Sequence, residues 1–253
     1  MSQMTVGLLL LILLSVLTIG MLLTLVLVRY VDRRRALAKK GTGGPDGEAG
    51  VRSVTYQPLF DSPSRWIAIR SGNPVAAQTV LGLHNAKPCS WGEGLNMLTD
   101  HTLFISPPID GWLLVVGHGL PDPSDDVDEC YRFILRLSRE LGHVQFFSIN
   151  RAVDHHAWVK AEGNRVIRAY AWAGETLWNQ GRMTSAEAEV GMKCYGYGEA
   201  RDPALIGGEV QHSNADKVTF LAARWSFDPT NIDEQRISAA QGIAGNLIHF
   251  KQH

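Results

Sequence analysis

The feature that most constrains this chain is an uncharged apolar segment near its N-terminus. Residues 5–28 form a run of 24 in which only Thr5, Ser15, Thr18 and Thr24 are polar. At about 1.5 Å per residue, a helix of this length reaches about 36 Å, which is enough to cross a hydrocarbon core about 30 Å thick. Hydroxyl groups can bond back to their own helix, so they are tolerated in lipid. Residues 1–28 are therefore predicted to form a transmembrane anchor.

A cleaved signal peptide is the alternative interpretation of this segment. Such a peptide starts with basic residues, has an apolar core of about 7–15 residues and ends at a small-residue cleavage site. Residues 1–4 contain neither Lys nor Arg, and the sequence Arg29-Tyr30-Val31 that follows the segment is no cleavage site. The apolar run is also about twice too long. We therefore expect the segment to be retained as a single-pass helix.

A basic collar, residues 29–40, follows the apolar segment directly. It carries six basic side chains against Asp32, whereas residues 1–28 carry no charge at all. Basic flanks stay in the cytoplasm, so we expect the N-terminus outside the cell and the C-terminal part inside, at an inner or plasma membrane. Each basic side chain near anionic lipid contributes about 1 kcal/mol. The predicted membrane-surface residues are Arg29, Arg33, Arg34, Arg35, Lys39 and Lys40.

Small and hydroxyl-bearing residues recur at helical spacing inside the apolar segment. Ser15 and Thr18 are three residues apart, and Gly20 and Thr24 are four apart. Small residues at this spacing let a second membrane helix approach closely. These four positions are predicted to form a helix-packing face.

The composition changes after the collar. Five of residues 41–50 are glycine, so residues 41–52 are predicted to be a flexible linker. Residues 53–253 have the mixed apolar and polar sequence of a globular protein and form the predicted cytoplasmic domain. The net charge of −1 divides into zero for residues 1–28, +5 for the collar and −6 for residues 41–253. Because the basic charge is concentrated beside the apolar segment, we expect no nucleic-acid partner.

The domain sequence mixes hairpin and helix signals without a regular βαβ alternation, which predicts an α+β domain with an antiparallel sheet. The predicted strands are 65–70, 102–105, 112–116, 144–149, 158–162 and 165–172, the last two joined by Gly163-Asn164. That turn places Glu162 opposite Arg165. The three cysteines, an odd number, fit a reducing compartment.

Capping signals locate the predicted helices. Asn73 with Pro74 starts one helix, and capping boxes start three more, at Ser90, Thr184 and Ser213. The longest helix is predicted over 125–141, with Ser124 as its N-cap and Gly142 as its end. Its predicted apolar face consists of Val127, Tyr131, Ile134, Leu137 and Leu141.

The sequence contains no standard signature of nucleotide binding, zinc binding or serine hydrolysis, so we expect no cofactor and no metal. The alternating acidic residues from Asp122 to Asp128 fit helix capping better than a calcium loop. Asp154, His155 and His156 are the densest set of metal-ligating or basic side chains. Adjacent strand residues point to opposite faces, so we favour a polar strand entry over a metal site. Cys130 is expected to be a buried, inert thiol.

The chain has seven tryptophans, and core packing is expected to account for most of them. Indoles are also enriched at protein interfaces. The tryptophans predicted as a partner surface are Trp112, Trp158, Trp172 and Trp178.

Several stretches of the domain occur together in a recognisable order. They are Pro88-Cys89-Ser90-Trp91-Gly92-Glu93-Gly94-Leu95, Pro107-Pro108 before Gly111-Trp112, Ala157-Trp158, Arg168-Ala169-Tyr170, Gly174-Glu175, and Trp225-Ser226 with Asp228-Pro229. Over roughly residues 65–230 the chain resembles an uncharacterised group of small bacterial domains. The resemblance implies a bacterial cytoplasmic setting and transfers no catalytic role.

The function expected from the sequence is that of a non-enzymatic, single-pass membrane protein. Its cytoplasmic domain would serve as an accessory or scaffolding subunit of an energy-transducing, transport or secretion complex, with anionic lipids and other subunits as partners. A membrane-tethered hydrolase or metal enzyme using Asp154, His155 and His156 is one alternative. An immunity-type or small-ligand binding module is the other.

Overall fold

In the computed structural model, the described residues are 64–199, 213–230, 232 and 240–247. Chain contacts divide the protein into Met1–Ser53 and Val54–His253, and every described residue belongs to the second unit. The helices are α1 (Pro74–Leu81), α2 (Trp91–Asn96), α3 (Val127–Leu141), α4 (Ser185–Val190) and α5 (Asn214–Trp225). The strands are β1 (Ser64–Ile69), β2 (Leu83–Cys89), β3 (Thr102–Ile105), β4 (Leu113–Val116), β5 (His143–Asn150), β6 (His155–Glu162), β7 (Arg165–Trp172), β8 (Thr176–Gln180) and β9 (Gly242–Leu247).

All of these strands belong to one antiparallel sheet in the order β2-β9-β3-β4-β1-β5-β6-β7-β8. The predicted α+β class with an antiparallel sheet is therefore confirmed. Helices α1 and α3 pack on one face, where Ile67, Phe146 and Leu137 lie in the core. Helices α2, α4 and α5 pack on the other face, where Trp66, Trp158 and Leu221 lie in a second core. The inner strands β1 and β3 to β7 bury residues on both of their faces, as a sheet between two helical layers requires.

Local sequence signals placed most helix ends correctly. The Asn73 side chain accepts hydrogen bonds from the first turn of α1, and both reciprocal bonds of the capping box form at Ser90 and at Thr184. Gly142 ends α3 with a positive φ of 83°. Gly163 and Asn164 both have positive φ, and Glu162 pairs with Arg165 as predicted.

Two helix starts differ from the prediction. Helix α3 begins at Val127, and its N-cap is Asp126, whose side chain accepts from the Glu129 N–H. Ser124 instead donates to Asp122 in the preceding turn, since the Asp122 carboxylate competes for its hydroxyl. Helix α5 begins after Ser213 as predicted, but the Ser213 side chain makes no capping bond to the helix.

Four of the five residues predicted on the apolar face of α3 lie in the core or pack against it, namely Val127, Ile134, Leu137 and Leu141. The buried positions of the helix are Cys130, Ile134, Leu137 and Ser138. Tyr131, predicted on this face, is exposed and lies edge-on to Trp178 of β8. The helix therefore turns Cys130 rather than Tyr131 into the core.

No helix among the described residues is long and apolar enough to span a membrane. The predicted anchor, its packing face, the basic collar and residues 41–52 of the linker all lie outside the described part of the chain. They stay predictions from the sequence.

Candidate functional site

The most densely bonded polar group in the described structure is a buried ion pair between β7 and α4. The Arg168 Nε lies 2.8 Å from Glu187 Oε1. Arg168 is 1% exposed and Glu187 is fully buried. A buried ion pair is tolerated only when further hydrogen bonds satisfy both ions, and both ions here have several.

The Glu187 carboxylate accepts four hydrogen bonds from nitrogen and oxygen donors and a longer one from the Cys194 thiol. Its Oε1 accepts from the Trp158 indole at 2.7 Å as well as from Arg168. Its Oε2 accepts from the backbone N–H and the hydroxyl of Thr184 at 2.7 and 2.8 Å. The residue that caps α4 therefore also holds that helix to β6 and β7.

The Arg168 guanidinium is bonded on its other side to the edge strand β8. Its Nη1 donates to the Asn179 side chain at 2.8 Å and to the Gln180 carbonyl at 3.1 Å. Its Nη2 lies 3.1 Å from Cys194 Sγ. One side chain thus joins β7, β8, α4 and the segment after α4.

Burial raises the pKa of the Cys194 thiol to about 12, and the Arg168 charge offsets this only in part. Burial likewise raises the pKa of Cys130, with the Asp122 charge adding to the effect. The thiolate is the reactive form of cysteine. Both side chains are therefore protonated, poorly nucleophilic thiols at neutral pH, as expected for Cys130.

Aromatic rings continue from the ion pair along the same face of the sheet. Trp158 lies 4.9 Å from Tyr170 and 5.8 Å from His156 between ring centroids. The Tyr170 hydroxyl accepts from the Tyr195 backbone N–H at 3.1 Å, which holds the segment after α4 against β7. Burial raises the pKa of Tyr170, so this hydroxyl stays protonated.

The structure separates the two histidines proposed as metal ligands. Both lie on β6, where His155 pairs with Asn150 and His156 pairs with Ile149 and Trp172. Consecutive strand residues face opposite sides of a sheet, so these two side chains do not converge. Both residues begin β6, directly after the turn that contains Asp154.

His156 is buried, and both of its ring nitrogens have partners. Its Nδ1 lies 3.1 Å from the Asp154 carbonyl oxygen, and its Nε2 lies 3.2 Å from the Asn214 amide. Asn214 also bonds the backbone N–H of Lys193. His156 therefore links β6 to the start of α5. Among the described residues, no three His, Cys, Asp or Glu side chains are grouped to hold a metal ion.

The four tryptophans proposed as a partner surface have different surroundings. Trp158 is fully buried, and Trp172 and Trp178 are about 5% and 6% exposed. These three indoles are core residues and offer little surface to a partner. Trp112 alone is partly exposed, beside β4 at the end of the sheet.

At that end, five side chains form a cross-strand row that we call the end row. Glu162 pairs with His143 and with Arg165, and Arg70 and Trp112 lie one residue beyond the paired ends of β1 and β4, Ile69 and Leu113. Trp112 lies 5.0 Å from the His143 ring, edge to face. The members of the end row are Trp112, Arg70, His143, Glu162 and Arg165.

His143 connects the end row to the interior. Its Nδ1 lies 3.2 Å from Glu162 Oε1, and its Nε2 lies 3.1 Å from the Gln145 amide nitrogen. That amide also donates to the Trp225 carbonyl at 3.0 Å. Because the amide donates, the neutral histidine must accept at Nε2 and donate from Nδ1 to Glu162. Protonation of Nε2 would place two donors opposite each other.

Burial lowers the pKa of His143, Glu162 opposes this, and the charges of Lys160 and Arg70 lower it further. A lowered pKa means that the unfolded chain binds the proton first as pH falls. We therefore expect the free energy of unfolding to decrease below about pH 6.5. His143→Gln, which keeps an acceptor for Gln145, should flatten this decrease. Urea unfolding of both proteins between about pH 5 and 8 measures the free energy of unfolding. The same pH dependence in both proteins would contradict this prediction.

The chain matches no protein-family model, no curated protein and no solved structure. The resemblance to an uncharacterised group of bacterial domains thus stays a prediction, and the roles of the residues above rest on geometry alone.

The sequence alone does not identify the polar centre of the site. Its local patterns mark Glu187 as a capping residue and Arg168 as a strand residue. One available signal was the pattern of β7, where Arg168 lies among apolar residues and stands beside Tyr170, two positions further on. A charge in such a position requires a buried partner.

Proposed function

We propose that this protein is a non-enzymatic, single-pass membrane protein whose domain acts as an accessory or scaffolding subunit of a larger membrane complex. The observation that carries the proposal is the uncharged apolar run of residues 5–28 followed by the basic collar of residues 29–40. This order fits a helix whose basic end lies in the cytoplasm.

The chemistry of the domain supports an interaction role over catalysis. The buried ionisable side chains bond to one another and to the backbone, as at Arg168 and Glu187. The thiol of Cys194 is held protonated by burial, which raises its pKa. His156 is the buried histidine of the proposed metal set. Its two ring nitrogens are bonded to the Asp154 carbonyl oxygen and to the Asn214 amide.

The membrane anchor is tested by charge substitution. Each arginine at the centre of a membrane helix is unfavourable by about 2.5–3.5 kcal/mol, so we expect Ile12→Arg with Leu17→Arg to release the protein from membranes in an alkaline wash. Ser15→Ala with Thr18→Ala is the matched control and should stay bound. Release of the unsubstituted protein in the same wash would contradict the anchor.

Topology and assembly are tested on the full chain. We expect Ser2→Cys to react with a membrane-impermeant maleimide on intact cells, and Thr42→Cys to react only after lysis. In mild detergent, the native mass should exceed that of the monomer because other membrane proteins co-purify. A clean monomer would contradict the scaffolding role, and a purely soluble partner would favour an immunity-type module.

A further inference from the structure

The end row carries more positive charge than its own acidic side chains neutralise. Arg70 and Arg165 lie in the row, and Lys160 lies one residue pair further in, opposite Gln145. None of these three cations makes a side-chain hydrogen bond or ion pair within the described part of the chain. Glu162, the row's carboxylate, is already bonded to His143.

The three cations lie close to one another. The charges of Lys160 and Arg70 both act on the His143 ring, and Arg165 is the cross-strand neighbour of Glu162. The backbone N–H of Arg70 donates to the His143 carbonyl at 3.0 Å. The row therefore concentrates charge over four adjacent strands, β1 and β5 to β7.

Trp112 gives the same surface an apolar contact. Its ring packs edge-on against His143 and is partly exposed. Interfaces are enriched in tryptophan and arginine, and partly exposed aromatic rings often anchor them. A cationic rim around one indole fits a partner with carboxylates around an apolar side chain.

We propose that the end row, with Lys160, binds an acidic protein segment, whose carboxylates pair with Arg70, Lys160 and Arg165 while an apolar side chain packs on Trp112. The inference rests on the proposed scaffolding function and names the surface and partner chemistry for it. The partly exposed Trp112 indole favours a protein partner, which supplies an apolar side chain beside its carboxylates.

The test uses the full chain in nanodiscs of neutral lipid. The probe is a fluorescein-labelled peptide of about ten glutamates around two leucines, and the control peptide has lysine in place of glutamate. We expect the acidic peptide to bind and to weaken as salt rises, since exposed charges are screened. The variant Arg70→Ala/Lys160→Ala/Arg165→Ala should bind it about tenfold more weakly.

A matched variant removes the same charge elsewhere. Lys87→Ala/Arg132→Ala/Arg224→Ala changes three exposed cations on β2, α3 and α5 and should bind the peptide as the unsubstituted protein does. Trp112→Ala should weaken binding without changing its salt dependence. Equal weakening by both triple variants, no peptide binding, or binding only to vesicles of anionic phosphatidylglycerol would each overturn the proposal.

Native mass separates this proposal from the scaffolding function. If the unsubstituted protein is a monomer, the scaffolding function fails, whatever the peptide does. If it is part of a larger assembly and the end-row triple variant stays in that assembly without binding the peptide, only the end-row proposal fails.

Discussion

Replacing Glu187 by alanine is expected to lower the free energy of unfolding by about 3–5 kcal/mol. The substitution leaves the Arg168 guanidinium buried without its carboxylate. It also removes the acceptor of the Trp158 indole and of the Thr184 N–H that begins α4. Urea unfolding of the full chain in detergent, followed by tryptophan fluorescence, measures the change.

A matched control lies two residues further along the same helix. Glu189 pairs with Arg224 at 2.9 Å, and both side chains are more than half exposed. An exposed pair contributes about 0–1 kcal/mol, so Glu189→Ala should have a small effect. If Glu187→Ala were no more destabilising than Glu189→Ala, the buried ion pair would not be holding α4 to the sheet.

The second large effect is expected at Gly181, just after β8. Its φ is +77°, and an added Cβ would lie closer to the Ile167 carbonyl oxygen than real Cβ atoms approach. The backbone of β7 or β8 would have to move, and the Gln180 carbonyl that accepts from Arg168 would move with it. A left-handed conformation alone costs a non-glycine residue about 1–2 kcal/mol. We expect Gly181→Ala to lower the free energy of unfolding by more than this.

Gly174→Ala separates strain from steric clash. Gly174 has a similar φ of +82°, but an added Cβ would meet nothing within 4 Å. Gly174→Ala should therefore lower the free energy of unfolding only by the cost of the left-handed conformation. Equal midpoints of thermal unfolding for the two variants would contradict the close approach of Gly181 to β7.

Elements with local signals were predictable from the sequence. Asn73-Pro74, the capping boxes at Ser90 and Thr184, and the Gly163-Asn164 turn each place their own backbone through contacts within a few residues. The same signals misplaced the start of α3 because Ser124 and Asp126 are both good caps. Neighbouring side chains, here Asp122, decided between them.

Three strands were missed because their pairing is distant or irregular. Strand β2 contains Pro88 and a break in register between His84 and Lys87. Strand β9 has two glycines in six residues and no alternation. Strand β8 is short and contains a polar end, Asn179-Gln180, whose role is to bond Arg168.

The candidate site could be predicted only in part for the same reason. Thr184 and Glu187 were paired correctly because they are three residues apart, whereas Arg168 lies 19 residues before Glu187. Trp112 was selected together with three buried tryptophans, because residue type alone does not separate a core indole from a partly exposed one. The end row depends on the register of five strands, which no local pattern encodes.

The position of β9 sets the order in which the protein can be completed. It lies between β2 and β3, and the Thr102–Asn246 bond spans 144 residues. Synthesis proceeds at about 5–20 residues per second, so residues 5–28 emerge about 10–40 s before β9. During that interval β2 and β3 lack the strand that joins them. The proposed anchor is thus available for insertion before the sheet can close.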